Sequence, residues 1–160
     1  MTARPRPNGL DSPVTGRVIK YMAKAQVAAF KATGGRIGKY WRIGAGWKKP
    51  VPTLLLDHVG RKSGKLFTTP LLYLEDGPNL VVVASQGGLP SNPQWYANLV
   101  ATPDTTVRVA REGVRAVHAR EALGAERETL WPRLVELYAD FANYQSWTDR
   151  TIPVMVLEPR

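Results

Sequence analysis

The sequence predicts an α+β fold in which about six antiparallel strands close into a barrel with helices on its outside. Several segments have the β-branched and apolar composition of strands, and short turns such as Asp76-Gly77-Pro78 and Glu112-Gly113 join neighbouring segments. Turns this short connect antiparallel strands. Two helical patterns lie apart from the strands, one near the N-terminus and one over residues 125–142. Strands that close on themselves with helices outside give a barrel of this class.

The length and composition are those of a folded protein. The chain has 160 residues, of which 44% are hydrophobic, so we expect residues 13–160 to form a single domain. Residues 1–12 carry little apolar content and are predicted to be a flexible tail. Because the chain has no cysteine, any redox chemistry must come from a bound cofactor. No apolar run of membrane-spanning length and no signal-peptide pattern is visible, which favours a cytoplasmic protein.

The charge indicates an anionic partner. The formal net charge is +9 and the isoelectric point is about 10.1, which suits a nucleic acid, a lipid surface or a polyanionic small molecule. No zinc-finger spacing, RNP-like aromatic motif or long basic block with interleaved aromatics is present, so nucleic acid is not expected. His58 and His118 are the only histidines and there is no HExxH motif, so no metal site is predicted.

Residues 13–31 have the pattern of a basic amphipathic helix. Its apolar face carries Val14, Val18, Tyr21, Met22, Ala25 and Ala29, and its basic face carries Arg17, Lys20, Lys24 and Lys31. Two interpretations remain open. The apolar face covers the core of the protein, or the helix lies on an anionic membrane surface.

The remaining elements follow in order along the chain. Residues 33–50 are rich in glycine and aromatic residues and are predicted to be an irregular connection. The predicted strands are Val51–Val59, Phe67–Glu75, Asn79–Ser85, Thr105–Arg111, Val114–Glu121 and Val154–Leu157. A helix over residues 93–101 is expected to be capped by Asn92, and Pro132 is expected to break the helical region 125–142 into two.

Residues 60–65 place three cations, a hydroxyl and two glycines in a tight turn between two apolar segments. Backbone N–H groups and cationic side chains in such a turn can converge on a phosphate or carboxylate. The composition is equally typical of a solvated basic hairpin turn, because Gly, Ser, Lys and Arg are ordinary turn and surface residues. The turn is therefore either an anion site or a plain connection.

Four blocks of sequence resemble the deazaflavin (F420)-dependent nitroreductase and F420H2-dependent quinone reductase family of actinobacteria. They are Gly60-Arg61-Lys62-Ser63-Gly64, Ala84-Ser85-Gln86-Gly87-Gly88, Asn92-Pro93-Gln94-Trp95-Tyr96-Ala97-Asn98-Leu99 and Tyr144-Gln145-Ser146-Trp147-Thr148-Asp149-Arg150-Thr151-Ile152-Pro153. The likeness runs from about Ser12 to the end of the chain. It implies a split β-barrel and reduced coenzyme F420 as the cofactor, and it implies membrane association through the N-terminal segment.

The resemblance also assigns site residues. The phosphate end of the cofactor would lie on Arg61, Lys62 and Ser63. Its ring and ribityl chain would contact Phe67, Thr68, Thr69, Pro70, Leu71, Leu72, Val83, Ala84, Ser85, Gln86, Gln94, Trp95, Tyr96 and Asn98. Ser85 would donate a hydrogen bond to the acceptor, and Tyr138, Phe141 and Tyr144 would line the acceptor pocket. Many relatives have a lysine at the position of Gln86, so one cation of the anion site is missing here.

The leading functional hypothesis is hydride transfer from F420H2 to menaquinone-like quinones and, more weakly, to nitroaromatic acceptors. An FMN-dependent oxidoreductase on the same scaffold is one alternative. A non-catalytic basic module that binds F420 or a membrane is another. The expected location is the cytoplasm, with peripheral contact at the inner face of the cell membrane through residues 13–31, and the sequence leaves the oligomeric state open.

Overall fold

The computed structural model describes residues 4–160, so the first three residues of the predicted tail lie outside it. The helices are α1 (Pro13–Thr33), α2 (Gln94–Ala101), α3 (Gly124–Leu137) and α4 (Asp140–Ser146), with 3₁₀ turns at Gly44–Trp47 and Gln86–Gly88. The strands are β1 (Tyr40–Trp41), β2 (Val51–Val59), β3 (Leu66–Leu72), β4 (Leu74–Asp76), β5 (Asn79–Val83), β6 (Asp104–Val109), β7 (Gly113–Glu121) and β8 (Val154–Pro159).

The sheet is antiparallel and closes on itself. Its strand order is β1-β2-β6-β7-β8-β5-β4, and β3 pairs with β2. Since β3 and β4 are separated only by Tyr73, residues 66–76 pair first with β2 and then with β5. This confirms the predicted antiparallel barrel with flanking helices. The single predicted strand Phe67–Glu75 was wrong, because the chain changes partner strand at Tyr73, whose N–H donates to the carbonyl of Pro52.

The outer edge of β3 carries a proline. The N–H of Tyr73 points towards β2, and N–H groups along a strand point alternately to its two edges. The N–H groups of Leu71 and Thr69 therefore also point towards β2. Pro70, which lies opposite Leu55, has its nitrogen on the other edge. Pro70 therefore costs β3 no ladder hydrogen bond.

The sheet is buried on both faces where β5 and β8 run side by side. Inside the barrel, alternate residues of these strands pack with α2; they are Leu80, Val82, Met155 and Leu157, together with Trp95 and Leu99. On the outer face the intervening residues pack beneath α3 and α4; they are Val81, Val83, Val154 and Val156, together with Leu130, Leu134 and Phe141. Burial on both faces explains why these two strands are continuously apolar in sequence.

Two predicted helix boundaries were wrong. Pro132 lies inside α3, and the break falls at Tyr138, which is extended. Pro132 and Glu128 are both exposed, so water can replace the N–H that Pro132 fails to donate to the Glu128 carbonyl. Asn92 does not cap α2, because Pro93 occupies the N-cap position and the Asn92 side chain accepts a hydrogen bond from Arg150 instead.

The connection between α1 and β2 has more structure than predicted. Residues 40–41 form β1, which pairs with the first residues of β2, and a 3₁₀ turn follows at Gly44–Trp47. The backbone of this turn lies against α4, since the N–H of Ala45 donates to Asp140. The connection therefore joins the beginning of the barrel to α4.

Helix α1 contacts the barrel only near its end. Ser12 caps its first turn, accepting from the N–H of Val14, and Gly34 ends it in a left-handed conformation. Phe30 is its only buried residue, whereas Val14, Val18, Tyr21 and Met22 are each more than half exposed. The interpretation in which the apolar face covers the core therefore holds only for the second half of the helix, where Ala23, Val27 and Ala29 are partly buried.

The described part of the tail contacts α4 as well. The N–H of Arg4 donates to Asn143, and its carbonyl accepts from the indole of Trp147. Among residues 4–160, no helix combines the length and the hydropathy that a membrane-crossing segment requires.

We expect Phe30→Ala to destabilise the protein by about 3–5 kcal/mol, because the ring is 0% exposed and its removal leaves a cavity between α1 and the barrel. Met22→Ala, eight residues earlier on the same helix, is the matched control and should change stability by less than about 0.5 kcal/mol. Urea unfolding followed by tryptophan fluorescence measures both. Equal effects of the two changes would mean that Phe30 does not anchor the helix.

Candidate functional site

The turn between β2 and β3 has a fixed backbone. The N–H of Gly60 donates to the carbonyl of Lys65, the N–H of Gly64 donates to the carbonyl of Gly60, and the N–H of Lys65 donates to Ser63 Oγ. A Cβ on Gly60 would lie 2.5 Å from Ser63 Oγ and 2.9 Å from the ring of Phe67. Position 60 therefore requires glycine if the turn is to pack against these two residues.

The exposed side chains of this turn carry unpaired positive charge. Lys62 and Lys65 form no ion pair or side-chain hydrogen bond with any residue that the structure describes, and the amide nitrogens of Lys62 and Ser63 are also free there. The N–H of Arg61 is not free, because it donates to Asn98 Oδ1 at 3.1 Å. The turn can therefore offer an anion cationic side chains and two amides, fewer backbone donors than the sequence suggested.

A groove lies between this turn and α2. It is lined by His58, Gly60, Arg61, Lys62, Ser63, Phe67, Gln94 and Asn98 and encloses a cavity of about 290 Å³. The guanidinium of Arg61 spans the groove, with Nη1 2.8 Å from Gln94 Oε1 and 3.2 Å from Asn98 Oδ1. The two amide side chains of α2 thus hold Arg61 at the mouth of the groove.

His58 forms the inner wall of the groove. It is 5% exposed, and its ring lies between Asn98 Nδ2, 2.9 Å from Nδ1, and Thr69 Oγ1, 2.9 Å from Nε2. Phe67 stacks on the ring with a centroid distance of 5.7 Å. Burial lowers the pKa of His58, and the nearby carboxylate of Asp57 opposes this only in part.

The outer part of the site is the open strand β3. Its residues 68–72 are half-buried, and Phe67 at its beginning is 46% exposed. The hydroxyl of Thr68 donates to Asp57 at 2.6 Å, and Lys31 from α1 lies 3.5 Å from the same hydroxyl. This strand presents an apolar, partly exposed surface continuous with Phe67 in the groove.

The turn after β5 is held by one arginine. Arg150 donates to the carbonyls of Ala84, Ser85 and Leu89 and to Asn92 Oδ1, over distances of 2.7–3.2 Å. Desolvation lowers the pKa of this guanidinium, which pairs with carbonyl oxygens and no carboxylate in the described chain. Its contacts fix the backbone on both sides of Ser85.

The turn after β5 packs closely against α4. Gln86 has a φ of 44°, unusual for a residue other than glycine, and Gly88 follows with a φ of 76°. A Cβ on Gly88 would lie 2.7 Å from the carbonyl oxygen of Tyr144. The backbone of the Ser85 turn therefore touches the backbone of Tyr144.

The three residues predicted to line the acceptor pocket form an aromatic cluster. Tyr138 and Phe141 are 3% and 4% exposed and meet edge to face, and Tyr144 packs on both and on Trp147. The hydroxyls of Tyr138 and Tyr144 are 3.3 Å apart, and the indole of Trp41 donates to that of Tyr138. The structure thus brings these predicted residues together, with only Tyr144 partly accessible.

Both tyrosine hydroxyls keep their protons. Burial raises the pKa of Tyr138 far above its ordinary value, and burial also raises the pKa of Tyr144. Since Trp41 donates to Tyr138, a bond from Tyr138 to Tyr144 leaves the proton of Tyr144 free to donate. These groups are suited to donating hydrogen bonds and not to acting as bases.

The other predicted cofactor residues fall into four groups. Arg61, Lys62, Ser63, Phe67, Gln94 and Asn98 meet in the groove. Thr68, Thr69, Pro70, Leu71 and Leu72 lie along β3, and Ser85 and Gln86 lie in the turn after β5. Val83, Ala84 and Trp95 are buried in the core, and the hydroxyl of Tyr96 donates to Glu121 at 2.9 Å. The structure does not bring these last four side chains into the groove.

Three residues of the site had no role in the sequence analysis. Trp41 donates to Tyr138, 97 residues away, and Arg150 donates to Ser85, 65 residues away. No local sequence pattern reveals contacts between such distant residues. His58 had a visible signal, because it is a polar residue in an apolar strand that ends directly before the basic turn. The absence of a metal-binding motif left this histidine without a predicted role.

The fold and the site together define a small antiparallel split barrel with a groove at one rim, whose lining includes Arg61 and Lys62. A family model described as F420H(2)-dependent quinone reductase matches residues 22–159, and the chain belongs to this family. It is accordingly an oxidoreductase, a reductase whose cofactor is reduced coenzyme F420. This result favours F420 over FMN and catalysis over a non-catalytic module.

Individual relatives agree with the family assignment. A Mycobacterium tuberculosis protein named "Putative F420H(2)-dependent quinone reductase" is 56% identical over 74% of this chain and 99% of its own length. A second M. tuberculosis protein, named F420H(2)-dependent quinone reductase, is 40% identical over 83% of this chain and 87% of its own. The solved F420-H2 dependent reductase FDR-A is 42% identical with a TM-score of 0.62, over 67% of this chain and 94% of that one. A solved structure described as a domain-swapped dimer has the same TM-score at 41% identity, over 67% of this chain and 80% of that one.

We expect the stability of the protein to fall below pH 6.5 through His58. The unfolded chain binds the His58 proton with an ordinary pKa of 6.5, whereas the folded protein binds it more weakly, so unfolding takes up a proton. The free energy of unfolding then decreases as the pH falls, by at most about 1.4 kcal/mol per pH unit, until the lowered pKa is reached. Urea titrations of the wild type and of His58→Asn at pH 8 and pH 5.5 measure this contribution. Parallel decreases in the two proteins would contradict it.

Proposed function

We propose that the groove binds the anionic end of F420 and that β3 and the Ser85 turn hold its ring against a quinone. The observation that carries this proposal is the meeting of Arg61, Lys62 and Ser63, with no acidic partner among the described residues, at the mouth of one groove. Cationic donors held in a preformed groove bind phosphate and carboxylate groups well.

The size of the groove supports a divided site. A cavity of about 290 Å³ is at the lower limit of small-molecule sites, so it holds only one end of a cofactor that has a phosphate, an acidic tail and a tricyclic ring. The partly exposed strand β3 continues from Phe67 and supplies an apolar surface for the ring. Thr69 adds a hydroxyl on the same strand.

When bound, the reduced cofactor supplies a hydride, and the protein has to stabilise the negative charge that develops on the acceptor. The Ser85 turn is built for this role. None of the described peptide bonds is cis, so the N–H of each peptide unit points opposite to its carbonyl. Since Arg150 takes the carbonyls of Ala84 and Ser85, the N–H groups of Ser85 and Gln86 face away from Arg150. Together with Ser85 Oγ they form a set of donors for an oxyanion.

Tyr144 is the second donor that we assign to the acceptor. Its backbone touches the Ser85 turn at Gly88, and its hydroxyl ends the chain of hydrogen bonds from Trp41 through Tyr138. Burial keeps the hydroxyl protonated, so it can donate to a carbonyl oxygen. Tyr138 and Phe141 act by holding this ring in place.

Gln86 replaces the cation that the family resemblance implies. Its side-chain amide donates to Ser91 at 3.3 Å, so it reinforces its own turn. The positive charge behind this turn comes from Arg150, which contacts the carbonyl oxygen of Ser85 at 2.7 Å. We infer that affinity for the cofactor depends more heavily on Arg61 and Lys62 than in relatives that have the lysine.

Quinones fit this acceptor site better than nitroaromatics. A quinone presents a carbonyl oxygen to the Ser85 donors, and its apolar ring can lie beside the partly accessible Tyr144, on which the buried Phe141 packs. A nitro group spreads its charge over two oxygens, and Phe141 adds no hydroxyl to the Tyr138 and Tyr144 pair that could help to stabilise the second. One missing hydrogen bond to a developing anion is worth about 1.5–3 kcal/mol, roughly ten- to hundredfold in rate.

We further propose that α1 attaches the protein to an anionic membrane, at the inner face of the cell membrane. Its apolar residues Val14, Val18 and Met22 are exposed, and Arg17 and Lys20 lie beside them. An apolar stripe flanked by basic residues binds in the plane of an anionic lipid surface.

We expect the double change Arg61→Glu and Lys62→Glu to raise the Kd for F420 at least about tenfold, because attraction to the anionic end becomes repulsion. Isothermal titration calorimetry measures the Kd. Lys20→Glu together with Arg17→Glu makes the same change in net charge on α1 and serves as the control. An unchanged Kd in the turn variant would remove the assignment of this groove.

We expect the wild type to reduce a menaquinone analogue at least about tenfold more efficiently than a nitroimidazole, and Phe141→Tyr to recover part of the nitroimidazole activity. Ser85→Ala should lower kcat/KM for both acceptors, since both use that hydroxyl. Anaerobic assays with F420H2 give the two constants. Comparable efficiency of the wild type on both acceptors would remove the role of Phe141.

We expect deletion of residues 1–22 to abolish sedimentation with anionic vesicles and to leave turnover of a soluble quinone nearly unchanged, because Phe30 and the barrel are retained. The full-length variant with Val14, Val18 and Met22 all changed to Ser keeps every charge and should also fail to sediment. Undiminished sedimentation of both proteins would contradict the membrane role of α1.

A further inference from the structure

His58 occupies a position between the basic turn and the cofactor surface that the proposed function does not yet use. Its Nδ1 faces Asn98 of α2, and its Nε2 faces Thr69 of β3. Both His58 and Asn98 are nearly inaccessible to solvent, at 5% and 4% exposure. Water therefore cannot easily replace either hydrogen bond, and the protonation of the ring has to match its two partners.

The orientation of the Asn98 amide follows from Arg61. The backbone N–H of Arg61 and its Nη1 both lie within 3.2 Å of one atom of the Asn98 side chain, and both are donors. That atom is therefore the oxygen, which leaves the amide nitrogen to face His58. No other orientation of Asn98 satisfies the two Arg61 donors.

The protonation of His58 follows in turn. The amide nitrogen of Asn98 donates to Nδ1, so Nδ1 carries no proton, and Nε2–H donates to Thr69 Oγ1. His58 is thus the neutral tautomer with its proton on Nε2. Because Thr69 accepts from His58, its own hydroxyl proton remains available to a ligand on β3.

We propose that neutral His58 is the positioning residue of the basic turn, which it holds through Asn98 and Arg61. The chain of contacts runs from Nδ1 to the Asn98 amide and then to both the backbone and the guanidinium of Arg61. The proposal rests on the proposed function in one respect, that this turn receives the anionic end of F420. His58 itself does not touch the anion.

Protonation of His58 breaks this arrangement. An N–H at Nδ1 would face the side-chain N–H groups of Asn98, and two donors cannot bond to each other. The Asn98 amide then has to turn over so that its oxygen faces His58. The NH2 group of Asn98 would then face the donors of Arg61, which lose their acceptor. The charged groups around the ring are Asp57 on its own strand and Arg61 and Lys62 across the groove, while Lys31 reaches Thr68 from α1. From α2 and β3 the ring meets only the neutral Asn98, Thr69 and Phe67.

The direction in which F420 affinity changes with pH separates this role of His58 from simple electrostatic attraction. A positive charge gained by His58 beside an anion site should strengthen the binding of an anion as the pH falls. Loss of the Asn98 contact to Arg61 should weaken it. Binding of F420 then becomes about tenfold weaker for each pH unit below the pKa of His58, because one proton must leave before the turn reforms.

The state of His58 can be read in the unliganded protein. Nitrogen-15 NMR of the imidazole should show, at pH 8, a protonated Nε2 and an unprotonated Nδ1 with the shift of a hydrogen-bond acceptor, and its titration gives the pKa. A proton on Nδ1 at pH 8 would overturn the proposal. This measurement needs no cofactor, so it stands whether or not F420 binds in the groove.

Calorimetric titration with F420 between pH 5 and pH 8 tests the consequence. His58→Asn places an amide oxygen near the position of Nδ1, so it should keep the wild-type affinity for F420 at pH 8. Because Asn does not take up a proton, this variant should not show the loss of affinity that the wild type shows at low pH. His58→Leu offers no acceptor and should bind weakly at every pH. His118→Asn, the change at the other histidine, lies outside the groove and should follow the wild type.

These measurements separate a failure of the His58 role from a failure of the groove assignment. Equal pH dependence in the wild type and His58→Asn, or tighter binding by the wild type at low pH, would overturn the role of His58 while leaving the groove assignment intact. If charge reversal at Arg61 and Lys62 leaves F420 binding unchanged, the groove assignment fails and the role of His58 in that binding fails with it. Ionisation of F420 itself is common to all variants and cancels in the comparison.

Discussion

Residues 66–76 pair with β2 at one end and with β5 at the other, and this double pairing closes the sheet. The change of partner at Tyr73 leaves β3 with one free edge, since no strand continues the sheet beyond it in the described chain. The same closure encloses a core into which α2 packs through Trp95 and Leu99. The groove, the open strand and the helix that borders them are therefore all consequences of how the barrel closes.

The site is held together by polar contacts between distant parts of the sequence. Arg61 is bound to Gln94 at the beginning of α2, and Asn92, two residues earlier, is bound to Arg150, which also holds the Ser85 turn. One short segment before and within α2 thus links the basic turn to the turn after β5. A displacement of α2 would therefore alter both the anion groove and the hydrogen-bond donors of the Ser85 turn.

The sequence was most informative where one local pattern decides the structure. Two-sided burial makes β5 and β8 continuously apolar, and Asp76-Gly77-Pro78 is a strong turn signal, so both strands were predicted with the correct first residue and to within two residues at the end. Asn92 was misplaced because a long-range partner, Arg150, competes for a side chain whose local pattern indicates a cap. The basic turn was predicted as a candidate, but its dependence on buried His58 and Asn98 requires the fold, because their contact spans 40 residues.

The proline in β3 bears on the behaviour of the protein at high concentration. A free strand edge that begins with the exposed residues Leu66 and Phe67 is a template for the strand of another molecule, and such edges promote aggregation. Pro70 removes the N–H from the middle of that edge without weakening the pairing to β2. The strand that the proposed function leaves open for a cofactor is therefore also one on which another strand cannot form a complete ladder.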